Sequence, residues 1–239
     1  MPMTATASYI INAATQELGL PTVSLFTSQD DQIGYQCIGL LNSLGDELVR
    51  VHDWQFLEKT EQFVGDGSTS SFDLPQDFGR IVNQTQWSST DKRPMYGPLN
   101  AQQWGWCQFG IVSVGVFFRY RILGNKFHIF PTPGVGETFD FFYISKDWVM
   151  DGVTPTLFKD RVTSEADIPL FDRRLMITGV KDKLWAAKGM DASGTHAEFM
   201  YMLEAEKGQN QGAPIISLAG QHVDFLLGYQ NIPDGNWAS

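Results

Sequence analysis

The segment IGYQCIGLLNSLGDELVRVHDWQF, Ile33–Phe56, divides the chain into regions of different periodicity. Its apolar residues Ile33, Cys37, Leu40, Leu44, Leu48 and Val51 recur every three or four positions. That spacing is one buried face of a helix of about seven turns. Asp30 and Asp31 suit a helix N-terminus, where the macrodipole is positive, and place its start near 28–31. Upstream, Ala5–Leu18 reads as a shorter helix that stops at Gly19, with Pro21 beyond it. Glycine just past a helix end, followed by proline, is a stop signal.

Downstream of Leu57 the period falls from helical to two. Phe63 and Val64 end a strand, and Gly65-Asp66-Gly67-Ser68 carries hairpin-turn chemistry. Phe118, Tyr120 and Ile122 alternate with Arg119 and Arg121. Gly124-Asn125 then supplies a two-residue turn, and Lys126–Phe130 returns as the partner strand. After Pro131–Gly134 comes a further strand, Thr138–Ile144, dense in Phe and Tyr. Residues 59–155 therefore read as an antiparallel β region.

Helical period returns near Asp167-Ile168-Pro169, with Asp167 as the expected N-cap and Pro169 in the first turn. Met176, Val180, Leu184 and Ala187 form its stripe, and Gly189 ends it. A last helix spans about Ala192–Lys207, with Phe199, Met202, Leu203 and Glu206. The expected fold class is α+β: a four-helix bundle with an inserted antiparallel β domain and an extended C-terminal arm. The implied boundaries are 1–58 and 157–211 for the two halves of the bundle, 59–156 for the β insertion and 212–239 for the arm. The arm is broken by glycine and proline yet carries Ile215, Ile216, Leu218, Phe225, Leu226, Leu227 and Trp237. An apolar, broken segment of this kind is expected to dock on a partner.

Composition narrows the function. The 239 residues carry 17 basic and 27 acidic side chains, a net charge of −10, and no extended run of Lys or Arg. Recognition of DNA through its phosphates is thereby disfavoured. Charged residues make up 18% and aromatics 13%, a balance suited to a packed core and to interfaces. The longest apolar stretch, Phe109–Phe118, falls short of the ~20 residues of a membrane span, so no membrane association is expected. The opening MPMTATASYI lacks the pattern of a secretory signal, and the lone Cys37 and Cys107 fit a reducing compartment.

No constellation of residues points to catalysis. His52, His128, His196 and His222 fall on separate elements without partners at ligand spacing. Gly110–Gly115 is glycine-rich but lacks the lysine of a phosphate loop. Glu137, Asp140, Asp147 and Asp151 could pair as carboxylates for hydrolysis or a metal, but read more simply as a solvated strand face. Tyr96, Trp104, Trp106 and Trp148 fit either a sugar-binding platform or a β core with an interface. The expectation is no catalytic residue, no cofactor and no metal.

The order of motifs resembles a known family. Asn12, Leu18-Gly19-Leu20-Pro21 and Val23-Ser24 precede a long helix with Leu41-Asn42, ending in Val51-His52-Asp53-Trp54-Gln55-Phe56. This opening resembles the head-to-tail adaptors of short-tailed phages, the tail tubular protein A (gatekeeper or connector) family. Leu74-Pro75, Asp77-Phe78, Tyr120-Arg121-Ile122, Gly124-Asn125, Ile129, Pro131, Pro133, Phe142-Tyr143, Trp148-Val149, Leu184-Trp185 and Glu204-Ala205-Glu206 follow in matching order, over about residues 9–210. The resemblance implies a structural virion protein, made in the host cytoplasm and placed at the neck. Twelve copies would form a homo-oligomeric ring between the portal protein ring and the tail nozzle protein. DNA would pass through its channel without sequence-specific binding. The alternatives are another phage neck or tail component, or a β-rich carbohydrate-binding or fibre-associated module; an acid-pair hydrolase is a more distant one.

Overall fold

The computed structural model describes residues 3–21, 32–109 and 117–211. They form a mixed α+β chain with two hydrophobic cores. Helix α1, Ala7–Glu17, is capped by Thr6, whose side chain accepts the Tyr9 N–H, and it is followed by Gly19 at φ +68°. Both ends follow from side-chain chemistry: a hydroxyl satisfies a free N–H, and glycine turns the chain left-handed.

Helix α2 is described over Gln32–Val51. Cys37, Leu41, Leu44 and Leu48 are buried, while Leu40 packs only partly and Val51 is half exposed. The buried stripe thus runs through Leu41 rather than Leu40 and ends at Leu48 and Val49. Two adjacent leucines satisfy the helical period equally well, and the partner helix selects between them.

Beyond a 3-10 turn at Gln55–Leu57 come β1 (Glu58–Val64), β2 (Ser71–Asp73), β3 (Phe78–Ile81), β4 (Trp87–Ser88) and β5 (Arg93–Pro94). Helix α3, Ala101–Phe109, interrupts what the sequence alone suggests is all β. Its aromatic and polar residues show no clear stripe, and only Trp104 and Cys107 are buried. The β6–β7 hairpin (Arg119–Leu123, Lys126–Phe130) has the expected register, with Leu123 opposite Lys126. Gly124 and Asn125 both have positive φ, +59° and +60°, as a type I′ turn demands.

Strand β8, Thr138–Ser145, organises the main sheet: β1 pairs along one edge, β3 and β4 along the other. The Gly65–Ser68 turn therefore does not close a local hairpin; β1 pairs with β8, and β2 pairs with β7. Strand β9 (Val149–Met150) lies between β10 (Phe158–Lys159) and β11 (Ile168–Pro169). Ile168-Pro169 is thus a strand and not a helix start. Helix α4, Arg173–Ala187, begins at Asp172, whose carboxylate accepts the Arg174 and Leu175 N–H groups. Helix α5 follows over Ser193–Gln211.

One core gathers Ile10, Leu44, Leu48, Val180, Leu184 and Leu203 from α1, α2, α4 and α5, together with Trp54, Trp148 and Phe171. The second core is aromatic and lies among the strands: Phe63, Tyr120, Phe127, Phe139 and Phe141. Tyr120, Phe127 and Phe141 stack in series, with centroids 4.9 and 5.1 Å apart. Ile144, in the helical core, and Phe141, in the aromatic one, sit on the same strand β8, so the two cores share a rigid element.

Candidate functional site

The two cores meet where α2 ends, and this junction gathers long-range polar contacts from β3 and α5. The free carbonyls at the end of α2 carry partial negative charge and need donors. Arg80, on β3, supplies them: Nη1 donates to the Val49 carbonyl at 2.6 Å and Nη2 to the His52 carbonyl at 2.5 Å. Its Nε donates to Asp53 at 2.8 Å. The sheet thereby caps the helix.

Asn210, in the last turn of α5, joins the same junction from the other side. Its Oδ1 accepts the Gln55 N–H at 3.2 Å. Its Nδ2 donates to the Asp53 carbonyl at 3.3 Å and faces His52 Nε2 at 3.1 Å. Burial, opposed by Asp53 and Glu204 and aided by Lys207 and Arg80, holds His52 below its ordinary value. A neutral imidazole nitrogen accepts from Asn210 without conflict. Trp54 closes the floor, buried against Phe171 and donating from Nε1 to the Leu48 carbonyl at 2.6 Å.

Beside this junction lies a cleft of about 480 Å³, lined by Met3, Trp54, Phe56, Asp172, Glu206 and Asn210 among others. Its walls are aromatic and its rim is acidic. Burial, reinforced by Asp172, raises Glu206 above the ordinary carboxylate range.

Sequence-predicted candidates fall in different places. Ile215, Ile216, Leu218, Phe225, Leu226, Leu227 and Trp237 lie outside the described residues, as do His222 and the glycine-rich 110–115. The four aromatics do not form one platform: Trp148 is fully buried in the helical core and Trp104 is buried under α3. Trp106 and Tyr96 remain exposed, with Phe109 and Phe117 exposed near them in sequence.

The four acids serve separate local roles. Glu137 accepts the Gly134 N–H at 2.6 Å, and Asp140 accepts from Gln62 and Ser89. Asp151 accepts from Lys159 and the backbone of Val153 and Thr154; the lysine first, then those amides, hold it down at about 2. Asp147 is raised by burial and by Asp77. Among the described residues no group of His, Cys, Asp and Glu has the arrangement of a metal site.

Asp167 works as a buried loop organiser. It binds Lys159 Nζ at 2.8 Å and accepts the Thr163 and Ser164 N–H groups at 2.8 and 2.9 Å. Sequence reading missed Arg80 and Asn210, since each acts on backbone groups distant along the chain. Their partners' presence was visible only as unsatisfied carbonyls at the expected end of α2.

The junction thus combines helix ends tied by side chains, a cleft of about 480 Å³ and, elsewhere on the chain, exposed aromatics. A family model described as SU10 adaptor protein matches residues 5–208, spanning both cores. The chain belongs to that family. It is therefore a phage structural adaptor protein, a component of the virion. No curated protein matches the chain. Among the described residues, no helix is long and apolar enough to cross a membrane.

Proposed function

We propose that this adaptor forms a ring of twelve copies between the portal protein ring and the tail nozzle protein, enclosing the DNA channel. The observation that carries the reading is the family match across 5–208, which covers the helical and β parts together. In this reading α1, α2, α4 and α5 act as a four-helix unit forming the ring wall. The β insertion projects from it, and the arm 212–239 docks on the neighbouring ring.

Charge supports the channel role. Twelve chains at −10 each bring a ring charge of about −120, which disfavours adhesion of passing DNA, with salt screening it beyond ~8–10 Å. The burial of Trp148 and Trp104 weakens the carbohydrate-binding alternative, because two of its four platform residues are unavailable to a sugar. Another neck or tail position within the virion is the second reading.

The test is to mix the purified protein with the portal ring encoded by the same genome and image by electron microscopy. A second ring stacked on the portal, twelve-fold in averages, is expected. Bare portals at high protein excess would move the protein to another tail position.

A further inference from the structure

The described chain ends at Gln211, one residue after Asn210 on the rim of the aromatic cleft, and residues 212–239 follow. We propose that the cleft is the seat of the chain's own segment Ala213–Leu218, held in cis while the protein is free of its partners. The inference rests on the assignment of 212–239 as a docking arm and adds where the arm begins its path.

Reach favours this occupant. Four to seven residues past Gln211 span at most ~14–25 Å, enough to return to a cleft whose rim is one residue from the helix end. A tether this short gives the segment a local concentration of about millimolar, so even a weak contact is populated. Any untethered peptide would need that concentration in solution.

Chemistry favours it as well. Phe56 and Met3 offer apolar surface above the buried Trp54, matching Ile215, Ile216 and Leu218. Among the described residues none donates to the Glu206 carboxylate, although it is partly buried at the rim. Asp172, by contrast, is already occupied with the N–H groups of Arg174 and Leu175. Glu206 therefore presents an unused acceptor to the backbone N–H groups of an extended segment. The segment 212–221 carries no carboxylate of its own, so it enters an acidic cleft without like-charge repulsion.

The experiment uses the full chain with a photo-crosslinker at a cleft residue whose side chain is exposed, Gln55→benzoylphenylalanine. Irradiation of the free protein is expected to yield an intramolecular adduct at monomer mass, mapping to 213–218. Adducts only between two chains would replace the cis seat with a second copy, and adducts lacking 213–218 would overturn the proposal outright. A second measurement follows hydrogen exchange at Gln55–Glu58 in full-length Ile215→Asp/Ile216→Asp. Exchange there should rise about two- to tenfold while Ile215→Leu leaves it unchanged; equal exchange in all three proteins would also overturn it. Failure of the portal-mixing experiment would sink the ring reading and leave the cis adduct intact, whereas stacked rings without an adduct would do the reverse.

Discussion

Gly45 of α2 lies against the indole of Trp148: a Cβ placed at position 45 would stand 2.1 Å from Cζ2 and 2.3 Å from Cη2 of that ring. The ring is fully buried, so it has nowhere to retreat. A glycine in a helix interior costs ~1 kcal/mol of helix propensity relative to alanine. Here that cost is outweighed, because overpacking a closed core costs about 1–3 kcal/mol. Gly179 of α4 meets Leu44 in the same manner, at 2.5 Å.

Gly45→Ala is therefore expected to destabilise despite improving propensity, by up to about 2 kcal/mol net. For a chain of this size that lowers the unfolding midpoint by up to roughly 8 °C. Calorimetry of the variant decides the sign. A raised midpoint would mean that the indole shifts freely. Gly45→Ala with Trp148→Phe should cost less than the sum of the single changes, since the residues share one space.

Glu17, Arg174, Glu198 and Lys181 form a closed ring of alternating charge across α1, α4 and α5. Lys181 reaches Glu17 at 3.0 Å and Glu198 at 2.5 Å; Arg174 reaches Glu198 at 2.7 Å and also pairs with Glu17. For Glu17, burial opposes ionisation, but the hydrogen bonds from Lys181 and Arg174 win and hold it below 4.5. Glu198 is held down chiefly by Lys181. Both groups thus contribute stability that is present above about pH 4.5 and is lost as pH falls through their lowered folded values. Glu17→Gln/Glu198→Gln should flatten the acid limb of the stability–pH curve below pH 5. Because these side chains are about a third exposed, the loss at pH 7 should be only about 1–2 kcal/mol.

Much of the local structure was legible from residues alone. The Gly124-Asn125 turn, the alternation around Tyr120 and the stop at Gly189 each rest on one or two positions with a single good conformation. Elements set by tertiary partners were not legible. Asp167 reads as the cap from sequence, but α4 starts at Asp172 because Ile168-Pro169 is taken up in a strand pairing with β9. Helix α3 lacks an apolar stripe, so periodicity had nothing to detect. At the junction, Trp54 was visible as a motif, but Arg80 and Asn210 reach the neighbouring His52 across 28 and 158 residues of sequence.

His52 and Asn210 make the junction sensitive to mild acid. Burial comes first among the causes that lower His52, with Lys207 and Arg80 adding to it and Asp53 and Glu204 opposing. The unfolded chain therefore takes up a proton at higher pH than the folded one, near 6.5. Stability is full above that value and declines as pH falls towards the folded value. Protonation also turns Nε2 into a donor facing the Asn210 amide donor. Hydrogen exchange in the last turn of α5 should rise between pH 7.5 and 5.5, after correction for intrinsic rates. His52→Gln should remove that dependence, and its persistence in the variant would assign it to another group.

Asp167 should be among the most costly single carboxylates to remove. It is fully buried and satisfies Lys159, two backbone N–H groups in the 163–164 turn and, at 3.4 Å, Gly152. Burial opposes its ionisation, yet the bonds from Lys159 and the backbone hold it low. Asp167→Ala would leave those donors unpaired, at about 3–5 kcal/mol. Asp167→Asn, retaining one acceptor, should cost less. Urea unfolding of the two variants checks the order, and equal losses would show that charge, rather than acceptor geometry, is what the turn requires.

Arg80 supplies the clearest test of how the sheet is coupled to the helices. A guanidinium addresses three acceptors at once in a planar fork; an ammonium is a single point. Arg80→Lys should therefore retain the attraction to Asp53 but release one of the Val49 and His52 carbonyls. Both carbonyls lie in the last turn of α2 or just beyond it, where no further helical N–H is available to them. The expected loss is about 1–2 kcal/mol for lysine and about 2–3 kcal/mol for alanine, since the net ~1.5–3 kcal/mol of a charge-assisted bond is reduced by solvent around this one-third exposed side chain. Amide exchange should locate the damage at residues 49–55 and in the last turn of α5, which Asn210 ties to the same loop. A variant that loses stability evenly across β8 instead would show that Arg80 supports the sheet and does not act as a cap.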